Sequence, residues 1–412
     1  MSKCLFLTPF PLAAPKHGGQ IRAASLRDSA LLANWQVDSV GIYPSELFRT
    51  PERGPLDIVL DDKKLNETIT SDLVFADLKA AQAAARSKPI VDRLRRLIQN
   101  LAPDVIQVEH PWTWLLLREA LPSSPQFKII YSSHNIEWAA RKPLLNLGLK
   151  SATSQADLEA TRLLEEDFAR AADLVLSISD LEAKEIERVC GRPVVYLPAI
   201  SELKLPDGGT SRFAAMAQEA SCRYAALLGS AYWPNVEGFF DILPDGLGFL
   251  ARDEQLWVAG NLGDAIVRDE RFHVFLSINQ SRTHIMGYIE ESEKADFLTA
   301  AACVVVPVTF GAGAKMKTAD AIASGRPVIA TPHALEGYGP IVGPALGEGV
   351  YVADSPKEFR RLMREAFRTG LRGCSPEIRG RLSLEAMSKT WARHVGQLLE
   401  SRELASPAVL TD

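Results

Sequence analysis

Two lysines lie where a helix is least hospitable to them. The stretch from Cys303 to Thr331, CVVVPVTFGAGAKMKTADAIASGRPVIAT, opens on an apolar run and passes through the small-residue loop Phe310-Gly311-Ala312-Gly313. It reaches Lys315 and Lys317 as a helical pattern begins. A helix N-terminus already carries partial positive charge and unpaired N–H groups. A cation pair there calls for an anion, and a phosphate or diphosphate held by the amides of Gly311 to Gly313 and by both ammonium groups meets that need. Two lysines alone would serve equally as solvated chains; the adjoining Gly-x-Gly favours the ligand. A second constellation is Ser132-Ser133-His134-Asn135-Ile136-Glu137. It places a histidine and a carboxylate just past an expected strand, where ligands bind in open α/β sheets. Taken singly, His134 reads as a structural histidine and Glu137 as a first-turn helix acid. Their shared position raises both.

Several familiar chemistries are excluded. Gly311-Ala312-Gly313 leads to Met316 where a dinucleotide fingerprint needs a third glycine, and no Gly-Lys-Ser or Gly-Lys-Thr follows as a triphosphate loop demands. There is no Gly-x-Ser-x-Gly elbow. No Asp-x-Asp triplet supplies an obvious divalent-metal bridge to a diphosphate. No metal site is expected, and the lysines with the helix amides would take the metal's part.

The elements that position these residues read as alternating strands and helices. Cys303–Val308 and Pro327–Ala330 are strands, and between them Met316, Ala319, Ile322 and Ala323 form an apolar helix face, with Lys317, Asp320, Ala321 and Ser324 on a face turned outward. Upstream, strands are expected at 3–8, 37–42, 104–108, 127–131, 174–178 and 194–197. Helices are expected from Ile21 to Leu32, over 154–172, and from Asp180, a plausible cap, to Val189. Residues 44–90 read as charged and irregular, with helical patterning from about Leu73. Gly18-Gly19 sits between the first strand and first helix, where backbone can approach a ligand. Residues 201–222, with Pro206-Asp207-Gly208-Gly209, read as a linker. The pattern then restarts with strands at 224–228, 256–259 and 283–286, the first followed by Gly229-Ser230-Ala231-Tyr232-Trp233-Pro234-Asn235 and a helix from about Val236. Two rounds of strand, glycine loop and helix imply two doubly wound domains. The domains run 1–200 and 223–385, followed by a helix over 386–402 and a tail from 403. Trp391, Val395 and Leu398 make an apolar stripe suited to docking. Arg360, Arg364, Arg368 and Arg372 step by four as a basic stripe that either touches anionic lipid or is solvated, the solvated face being favoured.

At 412 residues the chain exceeds one ordinary core, and 47% hydrophobic content is ample for two. A net charge of −5 gives no attraction to nucleic acid. Five cysteines without a Cys-x-x-Cys pair argue for reduced thiols in a cytoplasmic setting. The N-terminal apolar run is interrupted by two prolines and reads as a buried strand, not a signal peptide, and no run is long enough to span a membrane.

With these residues in view, Phe310-Gly311-Ala312-Gly313-Ala314-Lys315-Met316-Lys317, Asp320 and Gly325-Arg326-Pro327-Val328-Ile329-Ala330-Thr331 resemble the nucleotide-sugar motif of retaining glycosyltransferases of family 4. The GT-B architecture this implies is two doubly wound Rossmann-like α/β domains facing a cleft, with a C-terminal helix crossing back to the first. Gly18-Gly19, His134-Asn135-Ile136-Glu137, Gly229-Ser230 with Trp233-Pro234-Asn235, and the Trp391 helix resemble further family blocks in the same order. The resemblance implies donor diphosphate on Lys315, Lys317 and the Gly311, Ala312 and Gly313 backbone, with Gly229, Ser230 and Asn235 in the donor loop. It implies ribose on Asp320, base near Gly287 and Tyr288, and catalytic roles for His134, Lys315 and Lys317. Gly18, Gly19, Arg22 and Glu137 fall on the acceptor side. Two positions depart from the family pattern: Ala312 replaces an acid, and Asp320 stands for the longer Glu.

The activity implied is retaining, metal-independent transfer of a sugar from a nucleoside-diphosphate donor to a glycan, lipid-linked or other hydroxyl acceptor, in cell-surface or exopolysaccharide synthesis. The nucleotide sugar is a substrate, so no cofactor is expected, and contact with the membrane would be peripheral. The rival readings are a nucleotide-sugar epimerase or hydrolase on the same fold, and a non-catalytic nucleotide-sugar-binding protein.

Overall fold

In the computed structural model the chain is described throughout except at residues 49–51, 62, 64, 66, 68, 70, 71, 147–153, 202, 205–210, 312–314 and 406–412. It divides into two compact units, Met1–Pro198 with Leu384–Asp412, and Ala199–Ser383. Each is built on one wholly parallel sheet with helices in the crossovers, the arrangement expected of Rossmann-like domains.

In the first unit the strands are β1 (Lys3–Thr8), β2 (Gln36–Pro44), β3 (Ile58–Leu60), β4 (Val105–Glu109), β5 (Lys128–Ser133), β6 (Leu174–Ser177) and β7 (Val195–Tyr196), in the order β3-β2-β1-β4-β5-β6-β7. The apolar N-terminal run is a strand paired on both sides, with Cys4 opposite both Val37 and Val105. Strand order reverses between β1 and β4, so the carboxyl ends of these two strands flank the crevice where such sheets hold ligands. Strand β3 lies in the stretch that reads as irregular. Three residues at a sheet edge are too short for periodicity to register, and the strand is fixed by its neighbours, Asp57 accepting from the Gly41 amide and the Tyr43 hydroxyl. Asp180 does not cap its helix; Ser179 does, accepting from the Glu182 amide at 3.3 Å.

The C-terminal helix Leu384–Ala405 belongs to the first unit, as expected of a helix that crosses back. Trp391 and Val395 are fully buried, Trp391 meets Trp35 edge-on at 5.1 Å, and the Ser388 hydroxyl donates to the Ser29 carbonyl.

The second unit carries β8 (Arg223–Leu228), β9 (Glu254–Ala259), β10 (Thr283–Gly287), β11 (Cys303–Val306), β12 (Val328–Ala330) and β13 (Val350–Val352), ordered β10-β9-β8-β11-β12-β13. The reversal here falls between β8 and β11. Residues 201–222, expected as a linker, include the helix Arg212–Glu219 of this unit, whose buried Phe213 packs edge-on against Phe297. The helix after β8 begins at Trp233, three residues before the expected start, because Pro234 is preset for a first turn. The basic stripe is not one helical face. The helix ends at Arg368, Arg360 pairs with Asp245, and Arg372 pairs with Glu348 beyond the helix. All five cysteines are free, and Cys4, Cys303 and Cys374 are buried. Among the described residues no helix is long and apolar enough to cross a membrane.

Candidate functional site

In the second unit the helix Met316–Ala323 follows β11, with Lys315 at its N-cap and Lys317 in its first turn. The helix does not present a polar face to solvent, as its pattern suggests. Asp320, Ala321 and Ser324 are buried with Ala319 and Ile322, because distant segments cover that side. Asp320 accepts from the Ser201 hydroxyl at 2.7 Å and pairs with Lys294 at 3.1 Å. Burial raises its carboxyl above the ordinary value against the pull of Lys294. Asp320 thus has partners of its own, one turn further into the helix than the lysines.

Lys317 donates to the side-chain oxygen of Asn235, whose amide nitrogen donates to the Ser230 carbonyl at 2.9 Å. The first turn of the helix after β8 and the helix after β11 therefore meet through Asn235, across the point where strand order reverses. Lys315 donates to the Gly311 carbonyl at 3.0 Å and lies 3.8 Å from Glu336. Burial and the Lys315 ammonium pull Lys317 down to about 8. A desolvated ammonium beside a second one, at a helix N-terminus, makes a site that an anion would relieve. Gly311 has φ +114°, a conformation a side chain would strain. Ala312 and Gly313 lie outside the described residues.

Gly229 and Gly260 end neighbouring strands so closely that a Cβ at Gly260, where φ is +87°, would stand 2.2 Å from the Gly229 carbonyl oxygen. The Gly260 amide donates to the Gly287 carbonyl at 2.7 Å, which sets Gly287 at the next strand end, with Tyr288 79% exposed. The structure also gathers residues that the sequence reading passed over. His333 reaches the Gly311 carbonyl through Nε2 at 2.7 Å and Glu336 through Nδ1 at 2.8 Å, and the buried Tyr338 hydroxyl donates to the Lys315 carbonyl. Their signal was available: Thr331-Pro332-His333 follows a strand's carboxyl end, as His134 does.

In the first unit, His134 and Glu137 stand close to each other but do not pair. His134 Nε2 lies 2.6 Å from Glu109, the last residue of β4, and Glu137 lies 2.8 Å from His110 Nδ1. The rings of His110 and His134 are 4.0 Å apart between centroids. Sequence reading ended β4 at Val108 and missed both Glu109 and His110. His110 holds φ +64°, rare for a side-chain-bearing residue and common at functional turns. Glu137 begins its helix and also pairs with Arg141, which binds Asp77 at 3.1 Å. Arg141, then His110, hold the Glu137 carboxyl well below the usual carboxylate range despite its burial. Glu165 closes the same helix N-terminus, accepting from the Glu137 and Trp138 amides at 2.8 and 3.0 Å.

Gly18 and Gly19 form the first turn of the helix Gly18–Leu32 and not a loop before it, and a Cβ on Gly19 would meet His110 Nε2 and Phe10 at 3.4 Å. Arg22 is buried and donates to the Leu197 and Pro198 carbonyls, a use within the fold.

Residues 224–368 match the family model described as glycosyl transferases group 1, and residues 63–199 match that described as glycosyltransferase family 4. No curated protein matches the chain. Among solved structures, sucrose-phosphate synthase from Thermosynechococcus elongatus aligns with TM-score 0.65 at 18% identity, over 98% of this chain and 100% of that one. Anabaena Alr3699/HepE, solved in complex with UDP, aligns with TM-score 0.64 at 14% identity, over 97% and 100%. The lipopolysaccharide outer core galactosyltransferase WaaB aligns with TM-score 0.59 at 14% identity, over 97% and 99%. At such identities the likeness is one of fold.

Proposed function

The chain belongs to the group 1 glycosyltransferases, with the family 4 domain in its first half, and on that premise we propose that the Lys315–Lys317 cluster holds the diphosphate of a nucleoside-diphosphate-sugar donor. The enzyme is of GT-B type and acts on nucleotide sugars. The observation that carries the assignment is Lys317 itself, desolvated beside a second ammonium at a helix N-terminus, with a neutral amide as its hydrogen-bond partner. A diphosphate supplies the missing negative charge.

In the reaction we infer, the bond from the anomeric carbon to the diphosphate oxygen breaks and a bond to an acceptor hydroxyl oxygen forms on the same face, with retention. Charge builds on the leaving diphosphate. Lys315, Lys317 and the first-turn amides stabilise it more as the bond lengthens, which is what lowers the barrier. The acceptor's proton passes to the departing phosphate, so no protein nucleophile is required. Asp320 serves the donor ribose in this reading, reaching it beside Ser201 and Lys294. The acceptor in this reading is a glycan, lipid-linked or other hydroxyl of cell-surface or exopolysaccharide synthesis, met in the cytoplasm or at the inner face of a membrane.

Because the two lysines neutralise the diphosphate, transfer is expected to proceed in excess chelator at the untreated rate. Complete loss on chelation, restored by one divalent metal, would overturn metal independence. Donor consumed at the turnover rate without any acceptor would point instead to hydrolysis or epimerisation.

The pH dependence of binding follows from Lys317. Bound diphosphate favours the charged ammonium, so the bound-state pKa lies above the free value of about 8. Affinity should be flat below that value and fall as pH rises through it, by up to roughly tenfold between pH 7 and 9, with proton uptake on binding. Calorimetric titration with UDP and GDP in buffers of different ionisation enthalpy checks this. Equal affinity and no proton uptake at pH 9 would remove Lys317 from the site.

A further inference from the structure

A continuous buried chain of hydrogen bonds runs from the C-terminal helix to His134. The indole Nε1–H of Trp391 donates to Gln107 Oε1 at 2.7 Å, Gln107 Nε2 donates to Glu109 Oε1 at 2.6 Å, and Glu109 Oε2 lies 2.6 Å from His134 Nε2. Gln107 and Glu109 are fully buried on the same face of β4, Trp391 is fully buried, and His134 is 5% exposed. Each link constrains the next. Indole is a donor only, so the Gln107 oxygen must face it and the Gln107 amide group must face Glu109. One carboxylate oxygen is thereby occupied, and the other is presented to the imidazole.

We propose that Trp391, Gln107 and Glu109 are positioning residues that set which ring nitrogen of His134 carries the proton, coupling the docked C-terminal helix to this histidine. The proposal rests on the reading of His134 as a functional residue, but its first consequence is a property of the ring alone. With Glu109 ionised, the carboxylate can only accept, so His134 carries its proton on Nε2 and leaves Nδ1 as an acceptor. Adding one proton to the pair, whether it rests on the carboxyl or on the ring, puts a proton on Nδ1 and makes that atom a donor.

The setting places this change near neutrality. Burial pushes Glu109 up to about 7 against the pull of Gln107, and burial with the nearby His110 and Arg22 pushes His134 well below its ordinary value. The charged and titratable groups around the pair are Cys4 on β1, Arg22 on the first helix, His110 after β4 and Glu137 on the helix after β5. The two groups titrate as one unit, so a single macroscopic transition is expected.

The test is long-range ¹H–¹⁵N correlation of ¹⁵N-histidine-labelled protein without substrate, from pH 5.5 to 8.5. Wild type is expected to show the Nε2–H form of His134 at pH 8.5 and to gain the Nδ1 proton in one transition near pH 7. In Glu109→Gln the chain of donors forces the new amide nitrogen toward His134 Nε2. The tautomer should invert to Nδ1–H and stay so across the range. Trp391→Phe keeps a buried ring but frees Gln107 to turn its oxygen toward a protonated Glu109, and should move the transition to higher pH, the ionised carboxylate still holding the Nε2–H form above it. Should Glu109→Gln fail to fold, the wild-type spectrum and Trp391→Phe still decide. A role limited to packing would lower the melting temperature of Trp391→Phe and leave the His134 transition at its wild-type pH. That result, or a wild-type ring carrying Nδ1–H at pH 8.5, would overturn the relay. Nucleotide binding does not enter this readout, so failure of the donor-site assignment would be seen separately.

Discussion

Replacing Lys317 by alanine is expected to weaken UDP or GDP binding by roughly 10- to 100-fold and to lower kcat/KM by on the order of 10³-fold, without unfolding the protein. A charge-assisted hydrogen bond to phosphate is worth about 1.5–3 kcal/mol in binding. The kinetic loss is larger because the ammonium meets more charge on the leaving group than on the bound donor. Stability should move little, because two effects oppose. The variant strands the buried Asn235 oxygen that Lys317 now occupies, but it also removes a desolvated ammonium. The sign of the second effect can be measured. Lys317 is held at about 8 in the fold and near 10.4 in an unfolded chain, so the unfolded state binds more protons between those values. Wild-type stability therefore gains from this group as pH rises from about 8 to about 10.4, and the variant lacks that gain. Melting temperatures from pH 7 to 10 would show the two proteins diverging, wild type upward. Nucleotide affinity equal to wild type would dismiss the donor-site assignment, and parallel melting curves would dismiss the desolvated ammonium.

The parts of this chain that can be read without a structure are those where chemistry and local pattern coincide. Between Cys303 and Thr331, two continuous apolar runs bracket a loop and a helix, and the anomaly of Lys315 and Lys317 is visible because helix polarity is a local property. What could not be read is what distant segments bring to the same place. The supposed outer face of the Met316–Ala323 helix is buried because Ser201 and Lys294 come from far along the chain to meet Asp320. Nothing local in Ala-Asp-Ala records that. The same holds for Asn235, whose tie to Lys317 spans 82 positions.

In the first unit the failure has another cause. His134 and Glu137 were found because they follow a strand's carboxyl end. Glu109 and His110 follow one equally, but Glu109 continues the strand's pairing opposite Ser132, and a buried carboxylate inside a strand contradicts the apolar pattern by which strands are recognised. Such a group is stable only because Gln107 and His134 satisfy it. Positions that break the pattern and are then satisfied from elsewhere are where a fold departs from its local rules. Edge strands β3 and β13 were missed for the simpler reason that three residues carry no period.

Arg141→Met is expected to destabilise the first unit by ~3–5 kcal/mol at pH 7, the cost of leaving a buried carboxylate without its cation. Met preserves the stem volume, so the loss reports charge more than packing. Arg141 is 12% exposed in its side chain; it joins Glu137 to Asp77, donates to the Val74 carbonyl at 3.0 Å, and lies 4.6 Å over the Trp112 ring. Glu137 would keep the His110 ring at 2.8 Å, with burial then raising its carboxyl. The pH dependence has a definite sign. In wild type the Glu137 pKa is depressed, so its contribution is complete above the unfolded value of about 4.3 and is lost as pH falls below that. In the variant the folded carboxyl takes up its proton more readily, so the gap between the two proteins should narrow as pH falls from 7 to 4. Adding Glu137→Gln to Arg141→Met removes the stranded charge and should recover part of the loss, because deleting both partners costs less than deleting one. Denaturant titrations of wild type, Arg141→Met and the double variant at pH 4, 5.5 and 7 test all three statements. A loss under about 1 kcal/mol, or a double variant less stable than Arg141→Met, would mean that the Glu137–Arg141 pair is a solvated contact and that the histidine pair beside it is held by other means.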